Sequence, residues 1–259
     1  MTIADLGPLS RKLAAFVSLT PHELSVLDAL HARRRRFDAG HELVREGQKK
    51  HPAFILTAGW SFSYKRLPDG SRQVTDFQVP GDVLGLHSLL LQTADCGIRT
   101  VTDVDVSEVS SGELLHAMDK SPRLTAAVLW MVSREAAIVS ERLVDLGRRD
   151  AKARIAHLLL EIGARLSVVG MASPTGYCCP LSQYLLADAL GLTAIHLNRV
   201  LRQLREADVL TFRKGVVEFV NLDALVGLAQ HDDAYLDQPR SPPMHAGSLV
   251  GRMIDQPGR

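Results

Sequence analysis

Residues 180–215 read PLSQYLLADALGLTAIHLNRVLRQLREADVLTFRKG, and this stretch decides the fold. Ser182 is placed to cap a short helix running to about Leu190, and Thr193 a second helix from Ala194 to about Glu206. Between them Gly191 supplies the permissive backbone that a sharp helix-to-helix turn requires. Ala187 is small where the helices must cross, and Leu186, Leu190, Leu192, Leu197 and Val200 supply a shared apolar core. The spacing predicts a helix-turn-helix.

The second helix divides into two faces. At 100° per residue, Leu197, Val200, Leu201 and Leu204 form one apolar stripe. Ile195, Arg199, Arg202 and Glu206 point the other way, flanked by Asn198 and Gln203. A helix that buries aliphatics and offers arginines and amides outward suits a DNA major groove. There arginine pairs bidentately with guanine and amides read adenine. A solvated amphipathic helix is the blander use of the same pattern, but the turn glycine, the small Ala187 and a following hairpin occur here together.

That hairpin is predicted from Val209–Thr211 and Val216–Val220, joined through Arg213-Lys214-Gly215. A basic turn beside a recognition helix makes a winged helix whose tip, Arg213 and Lys214, can touch phosphate. Residues 147–214 hold ten Lys/Arg against five Asp/Glu, a net +5, which leaves −4 for the rest of a chain of net +1. The near-neutral total hides a basic segment that coincides with the motif.

Working outward, 259 residues suit two modest domains, each with its own core. No apolar run approaches the roughly 20 residues of a membrane span. The N-terminal MTIADLGPLSRKLAAF lacks a signal-peptide core, and three cysteines are too few for a disulfide framework; both readings point to the cytoplasm. The first thirty residues read as helical, with Thr20-Pro21-His22-Glu23 as a capping box. Arg33–Arg36 reads as a solvated charge run. From Phe37 to Val109 short strands alternate with turns such as Pro68-Asp69-Gly70 and Pro80-Gly81-Asp82, the texture of a small barrel or jelly roll. From Pro122 to about Leu146 a long helix carries Val128, Val132, Ala136, Val139, Leu143 and Leu146 at spacings of 4, 4, 3, 4 and 3. That narrow stripe suits pairing with a second helix, packing on its own domain being the alternative. Gly147 is expected to end this helix, Arg148-Arg149-Asp150 to start the next, and a last helix to run from Asp223 to about Tyr235.

Helix, β-roll, long helix and winged helix-turn-helix, in that order, resemble the Crp/Fnr superfamily of bacterial transcription regulators. The resemblance covers about residues 10 to 220 and rests on Pro80-Gly81-Asp82, Gly85 and above all Leu186 to Val209. It implies an α+β chain: a cyclic-nucleotide-binding-like β-roll sensor (1–119, with the N-terminal helix), a dimerisation helix (120–146) and a winged helix-turn-helix DNA-binding domain (147–236). Beyond these, residues 237–259 are rich in proline and glycine and are expected to be a disordered tail. It further implies a homodimer that binds palindromic double-stranded promoter DNA and recruits or blocks RNA polymerase, with no membrane partner. By the same resemblance Arg199 falls on the guanine-reading position. Thr193 and His196 fall where hydroxyl residues usually contact phosphate. Asn198 sits where base preference varies. Many members have glutamate where this chain has Ile195, so the half-site should differ, with Ile195 against a thymine methyl.

The sensor departs further. Cyclic-AMP-binding members carry Gly-Glu-Leu and then Arg-Ser, for ribose and cyclic phosphate. This chain has Gly85-Leu86-His87-Ser88, without the glutamate, and Arg99-Thr100 too far along. Those six residues are the effector-pocket candidates, and cyclic AMP is not the expected effector. The oxygen-sensing branch uses a four-cysteine iron–sulfur cluster near its N-terminus, and no cysteine precedes Cys96. A haem ligand such as His87 stays open. Cys178-Cys179, at the entrance to the helix-turn-helix, reads as buried and structural, with oxidation that disturbs DNA contact as the alternative. No nucleophile with its base and no clustered metal ligands ask for an enzyme, and no cofactor or metal is expected. Two rivals remain: an effector-binding adaptor acting through protein partners, which the outward arginines disfavour, and a cupin-type metal enzyme, for which His41, His51 and His87 lack the spacing.

Overall fold

The structure is a computed structural model that describes residues 6–236; the tail expected from residue 237 onward lies outside the described residues. Eight strands build the β-roll: β1 (Arg34–Phe37), β2 (Glu42–Val44), β3 (Ala53–Ala58), β4 (Ser61–Arg66), β5 (Arg72–Gln78), β6 (Val83–Leu84), β7 (Gly97–Thr100) and β8 (Val104–Val109). They pair into two antiparallel sheets, in the orders β1-β8-β3-β6 and β2-β7-β4-β5. Leu43, Val44, Phe54, Leu56, Ile98 and Val106 fill the space between them. The Arg33–Arg36 run is largely strand β1, its side chains exposed and paired across the surface to Glu113, Glu108 and Asp103.

Alternation divides the residues of β4 between two buried faces. Phe62 and Tyr64, with Trp60 just before the strand, belong to the core shared with the C-terminal helices, not to the roll interior. Ser61 and Ser63 take the opposite face and are buried: Ser61 donates to Gln78 Oε1 at 3.1 Å and Gln78 Nε2 to Ser63 Oγ at 2.8 Å. Period-2 geometry dictates the split.

Helices α1 (Pro8–Phe16), α2 (Pro21–Ala29), α3 (Ser111–Lys120) and α4 (Pro122–Arg148) cover the other sheet. Leu9, Leu13, Leu27, Leu114, Leu124 and Met131 pack there against Ala53, Ile55 and Val83. The Thr20–Glu23 capping box forms as expected. Helix α3 was not anticipated, although Ser110 and Glu113 form the same box. Gly147 does not end α4; the last turn is held to Arg148 by Arg149, which donates to Asp145 at 2.8 Å and Glu141 at 3.0 Å.

Beyond it come α5 (Ala151–Val168), β9 (Ala172–Ser173), β10 (Gly176–Cys178), α6 (Gln183–Leu190), α7 (Ala194–Glu206), β11 (Leu210–Arg213), β12 (Val216–Phe219) and α8 (Leu222–Ala229). The wing is a four-stranded sheet, β11-β12-β10-β9, larger than the hairpin the sequence suggested. Gly176 is essential to it: at φ 146 a Cβ would lie 2.0 Å from the Val217 carbonyl oxygen. Helix α8 stops at Ala229, not near Tyr235, because Gln230 turns left-handed at φ 49. The chain then folds back, His231 and Tyr235 packing on His157 at ring distances of 4.9 and 5.8 Å.

The β-roll keeps its own interior, but the C-terminal part shares its core with one face of the roll. One buried cluster runs from Trp60, Phe62 and Phe77 of the β-roll through Leu158 and Ile162 of α5 to Leu197 of α7. Polar links cross the same junction: Arg72 Nε to Asp188 at 2.8 Å, Gln73 Nε2 to the Ala189 carbonyl at 3.1 Å, and Arg165 to Asp76 at 2.8 Å and Asp82 at 2.9 Å. Lys12 reaches Asp82 from the other side.

Candidate nucleic-acid interface

Helices α6 and α7 form where capping chemistry places them. Ser182 accepts from Leu185 N at 3.2 Å and Thr193 from His196 N at 3.1 Å. Between the helices Gly191 is left-handed, at φ 61. Leu186, Ala187, Leu190, Leu197, Val200, Leu201 and Leu204 are all buried, so the apolar stripe is the packed face. The opposite face is bare: Asn198, Arg199, Arg202 and Gln203 are exposed and Ile195 is 84% exposed. Ile195 thus adds an apolar contact point to a face that is otherwise polar and charged.

The wing turn is a two-residue reversal with Lys214 at φ 51 and Gly215 at φ 74, both left-handed, which matches strand twist. It lifts Arg213 and Lys214 clear of the surface. The Cys179 N–H donates to the Gly215 carbonyl at 2.8 Å and anchors the turn. Cys179 is buried, and burial pushes its thiol up to about 12, while Cys178 is exposed.

The basic surplus of residues 147–214 is smaller at the surface than in the sequence. Arg165 is buried among Asp76, Asp82 and Glu161, and Arg149 is taken up by Asp145 and Glu141. Arg154 donates to the Arg149 and Leu190 carbonyls, at 2.9 Å each. The outward charge rests on Arg148 and Lys152 where α4 gives way to α5, and on Arg199, Arg202, Arg205, Arg213 and Lys214 around α7 and the wing. Arg202 lies 3.4 Å from Glu206 on the surface, and Arg199 has no ion pair among the described residues.

The six effector-pocket candidates do not share one pocket. Gly85 lies against Ile98 and His51. Leu86 is buried in the apolar cluster under α1, α3 and α4, whose cavity of about 20 Å³ has room for a single water-sized sphere. Ser88 is buried, its carbonyl 3.1 Å from His51 Nε2. Arg99 points outward and donates to the Gly40 carbonyl at 2.7 Å; buried Thr100 donates to that of Asp38 at 2.8 Å.

His87 has different neighbours. Its Nε2 lies 2.9 Å from Asp95 Oδ1 and 3.8 Å from Cys96 Sγ, and its Nδ1 lies 3.5 Å from Glu135 Oε2 on α4. Hydrogen bonding to Cys96 and Glu135 outweighs burial and holds the imidazolium up to about 11. Sequence spacing does not reveal this group, because Asp95 and Cys96 follow His87 across an irregular loop and Glu135 comes from a distant helix.

On α4 the predicted stripe is divided: its C-terminal part faces solvent and its first residues lean on the core. Leu143 is 68% and Val139 43% exposed, Ala136 is exposed, and Val128, Val132 and Leu146 are half-buried. Sequence spacing missed Leu129, which is 58% exposed. Leu129 joins Ala136, Val139 and Leu143 on the exposed side, whereas Val128 and Val132 both pack against the cluster under α1 and α3.

Residues 153–228 match the Crp-like helix-turn-helix domain family, and residues 34–121 the cyclic nucleotide-binding domain family. The chain is 24% identical over 212 residues to the fumarate and nitrate reduction regulatory protein of Vibrio cholerae, covering 82% of this chain and 84% of that one. Among solved structures, FixK2 from Bradyrhizobium japonicum superposes with a TM-score of 0.69 at 26% identity, covering 77% of this chain and 98% of that one. TTHA1359, a CRP/FNR-family transcriptional regulator from Thermus thermophilus, gives 0.60 at 19% identity, covering 77% and 99%.

Proposed function

The chain belongs to the Crp/Fnr family of transcription regulators, and from that premise we propose that it binds a near-palindromic double-stranded DNA site as a homodimer, α7 in the major groove and the wing tip on phosphate. The observation that carries this reading is the bare face of Ile195, Asn198, Arg199, Arg202 and Gln203 on a helix whose other face is buried. Arg199 reads guanine, Asn198 and Gln203 flank it, and Ile195 meets a thymine methyl. The Thr193 hydroxyl accepts from His196 N and keeps its own proton for a phosphate oxygen, beside His196 at the positive end of α7. Two such helices across a dimer axis read half-sites about one helical turn, ~34 Å, apart. A protein so bound recruits or blocks RNA polymerase at the promoter. No described helix is long and apolar enough to cross a membrane.

Selection of bound DNA from a random pool tests the reading, followed by substitution. Arg199→Ala is expected to cost about 1–3 kcal/mol on the selected site and to relax preference at one base pair. Arg213→Ala or Lys214→Ala is expected to weaken selected and random DNA alike and to flatten the salt slope. Equal losses on both DNAs for Arg199→Ala would remove its base-reading role.

The effector is not cyclic AMP in this proposal. Leu86 packs into an apolar cluster and Arg99 is tied to Gly40, so ribose and phosphate lack their partners. A ligand shifts an equilibrium only by its differential affinity for the two states. Saturating cyclic AMP is therefore expected to leave DNA affinity within about twofold, roughly 0.4 kcal/mol. A gain of tenfold or more that Arg99→Ala abolishes would overturn this.

A further inference from the structure

We infer that His87, Asp95 and Cys96 form a binding site for a divalent transition-metal ion of the zinc class, with Glu135 of α4 orienting the histidine. A thiolate, an imidazole nitrogen and a carboxylate oxygen are the three donor types that such ions take together. Here Nε2 of His87, a carboxylate oxygen of Asp95 and Sγ of Cys96 all lie within 4.8 Å of one another. Ligands at 2.0–2.3 Å from a tetrahedral centre stand roughly 3–4 Å apart, so rotamer adjustments suffice to bring the three onto one ion. His87 and Asp95 are exposed and Cys96 is buried, which leaves an entry path and a position open to solvent.

Glu135 is placed to serve as the supporting carboxylate. Its Oε2 is buried, with His87 Nδ1 3.5 Å away as its charged partner. Metal-bound histidines almost always give their second N–H to a carboxylate, a backbone carbonyl or water, which fixes the tautomer. With Nε2 on an ion in place of its proton, the Nδ1 proton stays facing Glu135, so the carboxylate keeps its partner and holds the ring's orientation. The nearby cation, Lys65, is engaged with the Asp95 carbonyl oxygen and with Glu46, and so does not fill the site. The ion would bind where the loop between β6 and β7 meets α4. Its binding is read from the metal alone and does not depend on the DNA reading.

The test uses the full chain carrying Cys178→Ser, which removes the exposed thiol, stripped of metal under reducing conditions and titrated with Co²⁺. Saturation at one Co²⁺ per chain is expected, with a thiolate-to-cobalt charge-transfer band that Zn²⁺ displaces. His87→Gln and Asp95→Asn change exposed side chains and should leave the circular dichroism intact while lowering affinity about 100-fold or more. Cys96→Ser should lose the charge-transfer band. Glu135→Gln should keep the band and lower affinity about 10- to 100-fold. No band in the parent protein, or a His87→Gln protein that binds Co²⁺ with unchanged affinity and spectrum, would overturn the site; unchanged affinity in Glu135→Gln would overturn the orienting role.

Discussion

Arg165 shows how one side chain can serve the junction and not the surface. Its guanidinium is buried, a position that burial alone disfavours, yet Asp76, Asp82 and Glu161 around it hold its pKa well above the ordinary value. The same pairing, with Lys12, holds Asp82 below the usual carboxylate range despite its burial. Replacing a buried pair wholesale can be neutral, but removing one partner strands the other. Arg165→Met should therefore cost about 3–5 kcal/mol and lower the thermal midpoint by on the order of 10 °C. Arg72→Ala, at a half-exposed pair across the same junction, should cost about 1 kcal/mol or less. Equal shifts for the two in thermal denaturation would mean that the buried network carries no special weight. The sequence could not distinguish these arginines. In a charge count Arg165, Arg149 and Arg199 are alike, and only the fold reveals that two are neutralised inside and the third faces out. The recognition face was legible because helical period alone sorts residues 194–206; the fate of Arg165 depends on aspartates more than eighty residues earlier.

At the scale of elements, caps were the most legible feature, since a cap and its partner lie three residues apart. Thr20, Ser182 and Thr193 all accept the expected backbone N–H. The Ser110–Glu113 box carried the same signal for α3 and was overlooked between a strand run and a long helix. Strands β9 and β10 escaped because they are two and three residues long and exist only by pairing, β10 with β12 and β9 with β10. The aromatic face of β4 was visible as alternation, but which face met a core required the C-terminal helices. Glu23 shows a cap doing more than local work. Burial opposes its charge, yet hydrogen bonds from Ser121, Thr20 and Arg123 hold it down to about 2 from an ordinary 4.5. It thus ties α2 to the start of α4, with Ser121 Oγ at 2.6 Å and Arg123 Nε at 2.9 Å. A depressed carboxylate contributes stability that is full above its unfolded pKa and is lost as pH falls toward the folded one. Stability should therefore decline from about pH 4.5 toward pH 2. Glu23→Gln should cost about 1.5–3 kcal/mol at neutral pH and shrink that decline. An unchanged acid profile would assign the acid sensitivity to other carboxylates.

For the whole molecule, the continuous core from β-roll to α7 sets how a dimer has to form. Because α5, α6 and α7 pack on Phe62, Phe77 and their neighbours, each recognition helix is positioned by its own β-roll. One strip of exposed apolar surface runs along α4, where Leu129, Val139 and Leu143 are exposed in a single chain. A 3-and-4 spacing of such residues forms a seam when two copies pair, and pairing would set the distance between two recognition helices. Exposure makes the test clean. A charge at Val139 meets water in the monomer, so Val139→Glu should leave folding and the thermal midpoint nearly unchanged. In a paired seam the same charge would be desolvated opposite its own copy, without a partner, at a cost of several kcal/mol. Sedimentation should then report the monomer mass for Val139→Glu and the dimer mass for the parent. Affinity for the two-half-site DNA should fall toward that for a single half-site, since linking the two reading heads adds effective concentration without adding contacts. Arg199→Ala, by contrast, should remain dimeric, which separates loss of assembly from loss of base reading. A Val139→Glu protein that sediments as a dimer would place the interface elsewhere and leave the exposed aliphatics of α4 to another role.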